Sequence, residues 1–219
     1  MQLALGILEE RADEKQSAYV ADVREELQHM SDLVNELLSF SKASLVGKSV
    51  ALKPVHLTEL AERVITRENR DKGGIVIEVP ARITVLADAD LLGRAVGNIV
   101  RNAIRYANPV NADGSAHATY RPKTLPDGRA SGPIVVSARE NGEYVLLTIA
   151  DSGPGISEDA IAQIFDPFYR ADTSRARETG GIGLGLAIVK TCVEACGGTV
   201  TCRNREPNGL EFTIKLKTA

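Results

Sequence analysis

The stretch that most restricts the fold is Gly180-Gly181-Ile182-Gly183-Leu184-Gly185-Leu186, which runs straight into Ala187-Ile188-Val189-Lys190. The second part reads as the start of a helix. Glycines at a helix N-terminus leave outward-pointing backbone N–H groups uncovered, and the macrodipole adds positive potential, so an anion, phosphate above all, is favoured there. The run is none of the better-known phosphate loops. Gly181, Gly183 and Gly185 give G-x-G-x-G, but Leu186 stands where a dinucleotide fingerprint needs its third glycine. No G-x-x-x-x-G-K-[ST] occurs, which excludes a P-loop, and the absence of H-R-D and D-F-G excludes the protein-kinase set.

A second glycine turn lies upstream. Tyr144-Val145-Leu146-Leu147-Thr148-Ile149-Ala150 has the β-branched, apolar content of a buried strand, and Asp151-Ser152-Gly153-Pro154-Gly155-Ile156 follows it. A strand that ends on a carboxylate and turns on glycines fixes that carboxylate. Gly153 and Gly155 also let a flat ligand approach backbone where a Cβ would intrude. By itself the stretch is equally compatible with an ordinary turn.

Asp88 opens a helix whose apolar face is Leu92, Ala95, Val96, Ile99, Val100 and Ala103. Asn98, Asn102 and Arg105 fall at i, i+4 and i+7, on one line of that helix. Asparagine is a mediocre helix former, so two on one face need a reason. They are either surface amides or oxygens facing a hard cation such as Mg²⁺, with an arginine beside it for phosphate.

Around these motifs the pattern is mixed. Val55-His56-Leu57, Ile75–Val79 and Ile83–Leu86 read as strands, with Thr58 expected to cap the helix carrying Leu60, Ala61, Val64 and Ile65. Residues 134–139 and 144–150 form an expected antiparallel pair turning on Asn141-Gly142, and strands at 199–203 and 210–216 close the chain. Residues 108–133 carry turn signals without apolar periodicity, far beyond the usual connection of about 4–6 residues, and read as a mobile insertion.

The N-terminal part differs in kind. Val20, Val23, Leu27, Met30, Val34 and Leu37 alternate spacings of three and four, the seam of a long helix flanked by acids. With a helical segment before residue 10, this suggests a hairpin whose seam meets another chain in a bundle, the alternative being a helix packed on its own domain. Residues 1–46 form this hairpin, 47–54 a linker, and 55–219 the α+β unit.

A net charge of −3 gives no reason to expect nucleic acid or an anionic membrane surface as partner. No apolar run approaches the roughly 18 residues of a membrane span, so the expectation is a soluble chain. Cys192, Cys196 and Cys202 have no histidine or acidic cluster near them in sequence, and read as buried thiols rather than metal ligands.

Taken in order, the motifs resemble those of sensor histidine kinases of two-component systems. Asn98-Ile-Val-Arg-Asn102-Ala is similar to their N box, Asp151-Ser-Gly153-Pro-Gly155 to the first glycine box, Phe165-Asp-Pro-Phe168 to the phenylalanine box, and Gly181-Ile-Gly183-Leu-Gly185-Leu186 to the second glycine box. The helical segment ahead of them resembles the later part of the family's dimerisation and phosphotransfer hairpin. The resemblance implies a Bergerat-type two-layer α/β sandwich, a mixed sheet covered by helices, that binds ATP and Mg²⁺.

By motif match, Asp151 would accept the adenine amino group, with Gly153 and Gly155 beside the ring and Tyr106 stacked near it. Asn102 and Asn98 would hold Mg²⁺, with Asn98 also beside the phosphates, and Asn98 and Arg170 would be the catalytic residues. Arg105 would reach the phosphates and Arg170 the γ-phosphate. Gly181, Gly183, Gly185 and Leu186 would carry the triphosphate, with residues 171–180 as lid. The resemblance further implies histidine autophosphorylation, a homodimer through the hairpin, a response-regulator receiver domain as partner, and a cytoplasmic module of an inner-membrane sensor.

Two departures qualify this. None of His29, His56 and His117 has the family's His-Glu-Leu-Arg-Thr-Pro context, so the acceptor is expected before residue 1 and the chain is expected not to phosphorylate itself. Asn98 stands where gyrase-type ATPases have a glutamate base, and an amide cannot take a proton from water, so hydrolysis should be slow. The competing readings are an ATPase or serine kinase of the same superfamily, and a nucleotide-binding interaction module without kinase activity.

Overall fold

A computed structural model describes residues 50–68, 75–107, 134–171, 182–206 and 209–219, and positions 16, 19, 20, 23, 24, 27, 30, 31, 34, 37 and 38 of the N-terminal part. At 106 and 107 only the backbone is described. The expected insertion, nearly all of the expected lid, and most of the expected hairpin lie outside these residues. The six seam positions are helical. Val23, Met30, Val34 and Leu37 are 49, 54, 55 and 52 % exposed, so about half of each side chain's apolar surface meets solvent.

The elements that follow are β1 (Lys53–His56), α1 (Leu57–Glu68), β2 (Ile75–Glu78), β3 (Thr84–Ala87), α2 (Ala89–Ala107), β4 (Ile134–Asn141) and β5 (Tyr144–Ala150). Then come α3 (Glu158–Ile161), α4 (Gly185–Ala195), β6 (Thr199–Asn204) and β7 (Leu210–Lys217). Five strands form one sheet in the order β2-β4-β5-β7-β6. Only β2 and β4 run parallel; the other pairs are antiparallel. β1 and β3 make a small antiparallel pair, tied to the end of the chain by a bridge from Val85 to Thr218.

Alternation decides the layers. In β5 Val145, Leu147 and Ile149 are buried while Leu146 and Thr148 are half-buried, and β4 and β7 repeat the pattern. One face of the sheet therefore supplies the core and the other remains partly open. The helices cover the buried face: Leu60 and Val64 from α1, Leu92 and Ile99 from α2, Ile188 and Val193 from α4. Truncating a side chain as fully enclosed as Leu92 or Leu147 to alanine costs about 2–5 kcal/mol. The result is the expected α+β architecture with a mixed sheet.

Two local expectations are corrected. Thr58 does not cap α1, because Leu57 is already helical; the Thr58 hydroxyl instead donates to the Val79 carbonyl at 3.1 Å. In the β4–β5 hairpin Asn141 still pairs with Tyr144, so Gly142 and Glu143 are the central residues, with Gly142 at φ 66. Glycine at the first central position suits a type II′ turn. By contrast, Asp88 caps α2 as its position suggests. Its Oδ1 accepts from the N–H groups of Asp90 and Leu91 at 3.0 and 2.9 Å.

Candidate functional site

Asp151 is a buried carboxylate, 7 % exposed, at the end of β5. Its Oδ1 accepts from Gly153 N at 2.8 Å and Leu210 N at 3.1 Å, and its own N–H donates to Leu210 O at 2.9 Å. Both of these carboxylate bonds fall on Oδ1, leaving Oδ2 to meet an incoming donor. Burial pushes the Asp151 pKa above the ordinary value; the two N–H bonds and the charge of Arg205 pull the other way and do not win.

The turn between β6 and β7 holds this loop, and sequence reasoning missed it. The Arg205 guanidinium donates to the Asp151 carbonyl at 2.8 Å. The Asn204 amide grips both backbone groups of Ile156, accepting from N at 3.0 Å and donating to O at 2.7 Å. Gly209, at φ 114, lies so close that a Cβ there would stand 2.0 Å from the Asp151 carbonyl oxygen. At Gly155, φ 72, a Cβ would stand 2.7 Å from the Asn204 side-chain oxygen.

On α2, Asn98 is 6 % exposed. Its Nδ2 donates to Arg94 O at 3.0 Å, and its Oδ1 accepts from Arg101 at 2.7 Å. Arg101 is itself held by Glu68 of α1 at 2.7 Å, and Glu68 also pairs with Arg67 at 2.8 Å. The Asn98 amide is thus oriented by a charged chain reaching to the next helix. Asn102, one turn on, is half-buried, as is Arg105.

The first turn of α4 meets Asn98: a Cβ on Gly185 would lie 3.6 Å from the Asn98 amide oxygen. The N-cap of α4 is Leu184, which supplies no side-chain acceptor, so among the described residues no side chain caps the first N–H groups of that helix. Leu186 is partly buried against the core. Phe165 turns inward, edge-on to Phe212 at 6.4 Å between centroids. Phe168 turns outward, 63 % exposed and at φ 67. Arg170 follows, half-buried. Gly181 and the Tyr106 side chain lie outside the described residues.

Asp151, Gly153 and Gly155 therefore share one loop, and Asn98 and Gly185 meet across α2 and α4. Among the described residues no group of three or more His, Cys, Asp or Glu could hold a metal ion. A Mg²⁺ here would take its ligands from amide oxygen, nucleotide phosphates and water, a set that suits this cation. No described helix is long and apolar enough to cross a membrane.

Residues 87–219 match the model of the histidine kinase-, DNA gyrase B- and HSP90-like ATPases, and the chain belongs to that family. Within it, the relatives are sensor histidine kinases, and the chain carries a catalytic domain of that kind. It is 30 % identical to the sensor histidine kinase CpxA of Escherichia coli K12 across 99 % of the chain, and 30 % identical to the histidine-protein kinase BaeS of the same organism across 90 %. The chain spans only 43 and 38 % of those two proteins.

Among solved structures, full-length ShkA in complex with AMPPNP superposes over 99 % of the chain and 42 % of its own, with a TM-score of 0.71 at 28 % identity. The mycobacterial sensor histidine kinase MprB superposes over 76 % of the chain and 97 % of its own, with a TM-score of 0.57 at 28 % identity.

Proposed function

We propose that residues 55–219 bind Mg²⁺-ATP and present its γ-phosphoryl group to a histidine, the first step of two-component signalling. The observation that carries this reading is Asp151: buried, with Oδ1 tied to two backbone N–H groups and Oδ2 left to meet a donor. An exocyclic amine fits that oxygen. A carbonyl at the same position of the ring would face a carboxylate with no proton between them, which disfavours guanine.

Around the adenine, Gly153 gives the ring room and Tyr106 stacks near it, while Gly155 lines the same loop with its Cβ space taken by Asn204. The uncapped first turn of α4, with Gly181, Gly183, Gly185 and Leu186, receives the triphosphate, and Arg105 and Arg170 neutralise its charge. Asn102 is the metal ligand. Asn98 Oδ1 already accepts a hydrogen bond from the Arg101 guanidinium, so a cation there would use its second lone pair beside a positive charge; its part is to orient the phosphate side of the site. Positioning and charge neutralisation are what phosphoryl transfer asks of a protein.

Residues 1–46 act as a dimerisation hairpin and 47–54 as a linker, whose last two residues, Lys53 and Pro54, already belong to β1. The half-exposed seam of Val23, Met30, Val34 and Leu37 supports a partner helix there. The phosphate acceptor is none of His29, His56 and His117; His56 sits on β1, exposed, with its Nδ1 3.2 Å from the Thr84 hydroxyl. The phosphoryl group then passes to a response-regulator receiver domain, and the domain works in the cytoplasm.

Calorimetric titration of ATP and Mg²⁺ tests the reading. Loss of a charge-assisted hydrogen bond of about 1.5–3 kcal/mol weakens ATP binding by Asp151→Asn roughly 10- to 100-fold. Unchanged affinity removes Asp151 from the site and the proposal with it.

A further inference from the structure

The loop from Asp151 to Ile156 is anchored at both ends by consecutive residues of one other segment. Arg205 holds the Asp151 carbonyl at 2.8 Å. Asn204 holds the Ile156 N–H and carbonyl at 3.0 and 2.7 Å, a pairing that copies a strand neighbour with a single side chain. Asn204 also reaches Glu158 Oε1 at 3.3 Å, just past the loop. Both anchors are half-buried. The stretch between them holds Gly153 and Gly155, the residues with least conformational preference of their own. Pro154 stiffens the middle of this loop, and fixed ends hold the glycines on either side of it. The direction of the Asp151 carboxylate depends on the loop's shape through the Gly153 N–H and on β7 through the Leu210 N–H.

We infer that Asn204 and Arg205 are positioning residues for adenine recognition: they set the loop that aims Asp151, without touching the nucleotide. The inference rests on the proposed nucleotide site and assigns its selectivity to the β6–β7 turn. Alternative uses of these side chains fit the geometry less well. Asn204 spends both amide atoms on Ile156, and the carbonyl that Arg205 grips belongs to the residue proposed to read the base.

The test compares ATP with purine riboside 5′-triphosphate, which differs only in lacking the 6-amino group. The preference between them isolates the contact to Asp151. The wild-type chain should prefer ATP about 10- to 100-fold. In Asn204→Ala and in Arg205→Met that preference should fall by about 10-fold, with the analogue's affinity nearly unchanged. Thermal melting confirms that each variant is folded, and Arg205→Met carries the test if Asn204→Ala does not fold.

Equal weakening of both nucleotides would show a merely structural role and overturn the inference, as would an unchanged preference in the folded variants. Asp151→Asn separates the two levels. If it abolishes the preference while Asn204→Ala and Arg205→Met keep it, only the positioning role fails. If Asp151→Asn also keeps the preference, the nucleotide reading fails and the positioning role fails with it.

Discussion

Phe168 and Gly183 meet backbone to backbone. The Phe168 N–H donates to the Gly183 carbonyl at 3.1 Å, and a Cβ on Gly183 would stand 2.8 Å from Phe168 C and 2.6 Å from Tyr169 O. The phenylalanine box and the second glycine box are therefore one contact, and the segment between them leaves and returns at the same point. Gly183 at φ 77 and Phe168 at φ 67 both sit in the left-handed region, which costs a non-glycine residue about 1–2 kcal/mol.

Gly183→Ala should break this contact, because backbone atoms rather than a flexible side chain block the new methyl. The expected loss is about 2–3 kcal/mol, or roughly 4–12 °C in melting temperature for a chain of this size. Nucleotide affinity should fall as well, since Gly183 immediately precedes the uncapped turn of α4. A melting curve that overlays the wild type would mean the two boxes are not packed as described.

The charge of Asp151 sets a trade-off between stability and binding. Burial raises its pKa above the ordinary 3.8 in the folded protein, so the folded state holds a proton more readily than the unfolded one. The stability contributed by this group is full below the unfolded value and is lost as pH rises through the folded value. At neutral pH the ionised carboxylate is thus a net cost. Asp151→Asn should raise the melting temperature at pH 7.5 by about 2–4 °C for each 1 kcal/mol relieved, even as ATP binding collapses. The gain should shrink as pH is lowered toward the acidic range, where wild-type Asp151 takes up its proton. Melting both proteins across that pH range checks the sign.

How much of this was legible in the sequence depends on distance along the chain. The β5 strand shows its alternation within seven residues, and the Asp88 cap lies next to the helix it starts. Asp151, Asn98, Gly183 and Gly185 stand in local motifs and could be named directly. Asn204, Arg205 and Gly209 could not. Asn204 contacts Ile156 across 48 residues and Arg205 contacts Asp151 across 54, and only the β5–β7–β6 pairing brings them together. A lone Asn-Arg before a turn, followed by a glycine, carries no sign of that service. Thr58 is no cap because α1 already starts at Leu57, and the acceptor its hydroxyl finds instead, Val79, lies outside any local window. Arg101 was visible inside the N box, but its bond to Glu68 needed the packing of α1 on α2.

Gly209, the glycine of the β6–β7 turn, should tolerate no replacement without a shift of its surroundings. Its φ of 114 excludes side chains, and any Cβ would fall on the Asp151 carbonyl. Gly209→Ala must shift either the turn or the carboxylate loop, at a cost of about 2–4 kcal/mol. Denaturant titration should show a lower midpoint, and the ATP affinity of the folded fraction should drop. Gly142→Ala is the matched control: it is also left-handed, at φ 66, but nothing lies within 4 Å of its Cβ position. It should lose only the backbone term, about 1 kcal/mol, with ATP affinity intact.

Cys202 offers a reporter on the Asp151 charge. Burial pushes its thiol up to about 12, and the neighbouring carboxylates of Asp151 and Glu211 push the same way. Burial pushes Cys192 up to about 11, with Arg94, Cys196 and Asp88 as its charged neighbours and no part for Asp151. Both thiols should react slowly with iodoacetamide at pH 8, because the thiolate is the nucleophile. Asp151→Asn removes the larger of the two carboxylate effects on Cys202 and leaves burial in place, so its labelling should quicken while Cys192 keeps its rate. Peptide-resolved mass spectrometry reads the two sites separately. Acceleration at both would point to a loosened fold, and acceleration at neither would mean that Asp151 is not ionised at that pH. Only the selective result places a buried, charged carboxylate beside Cys202.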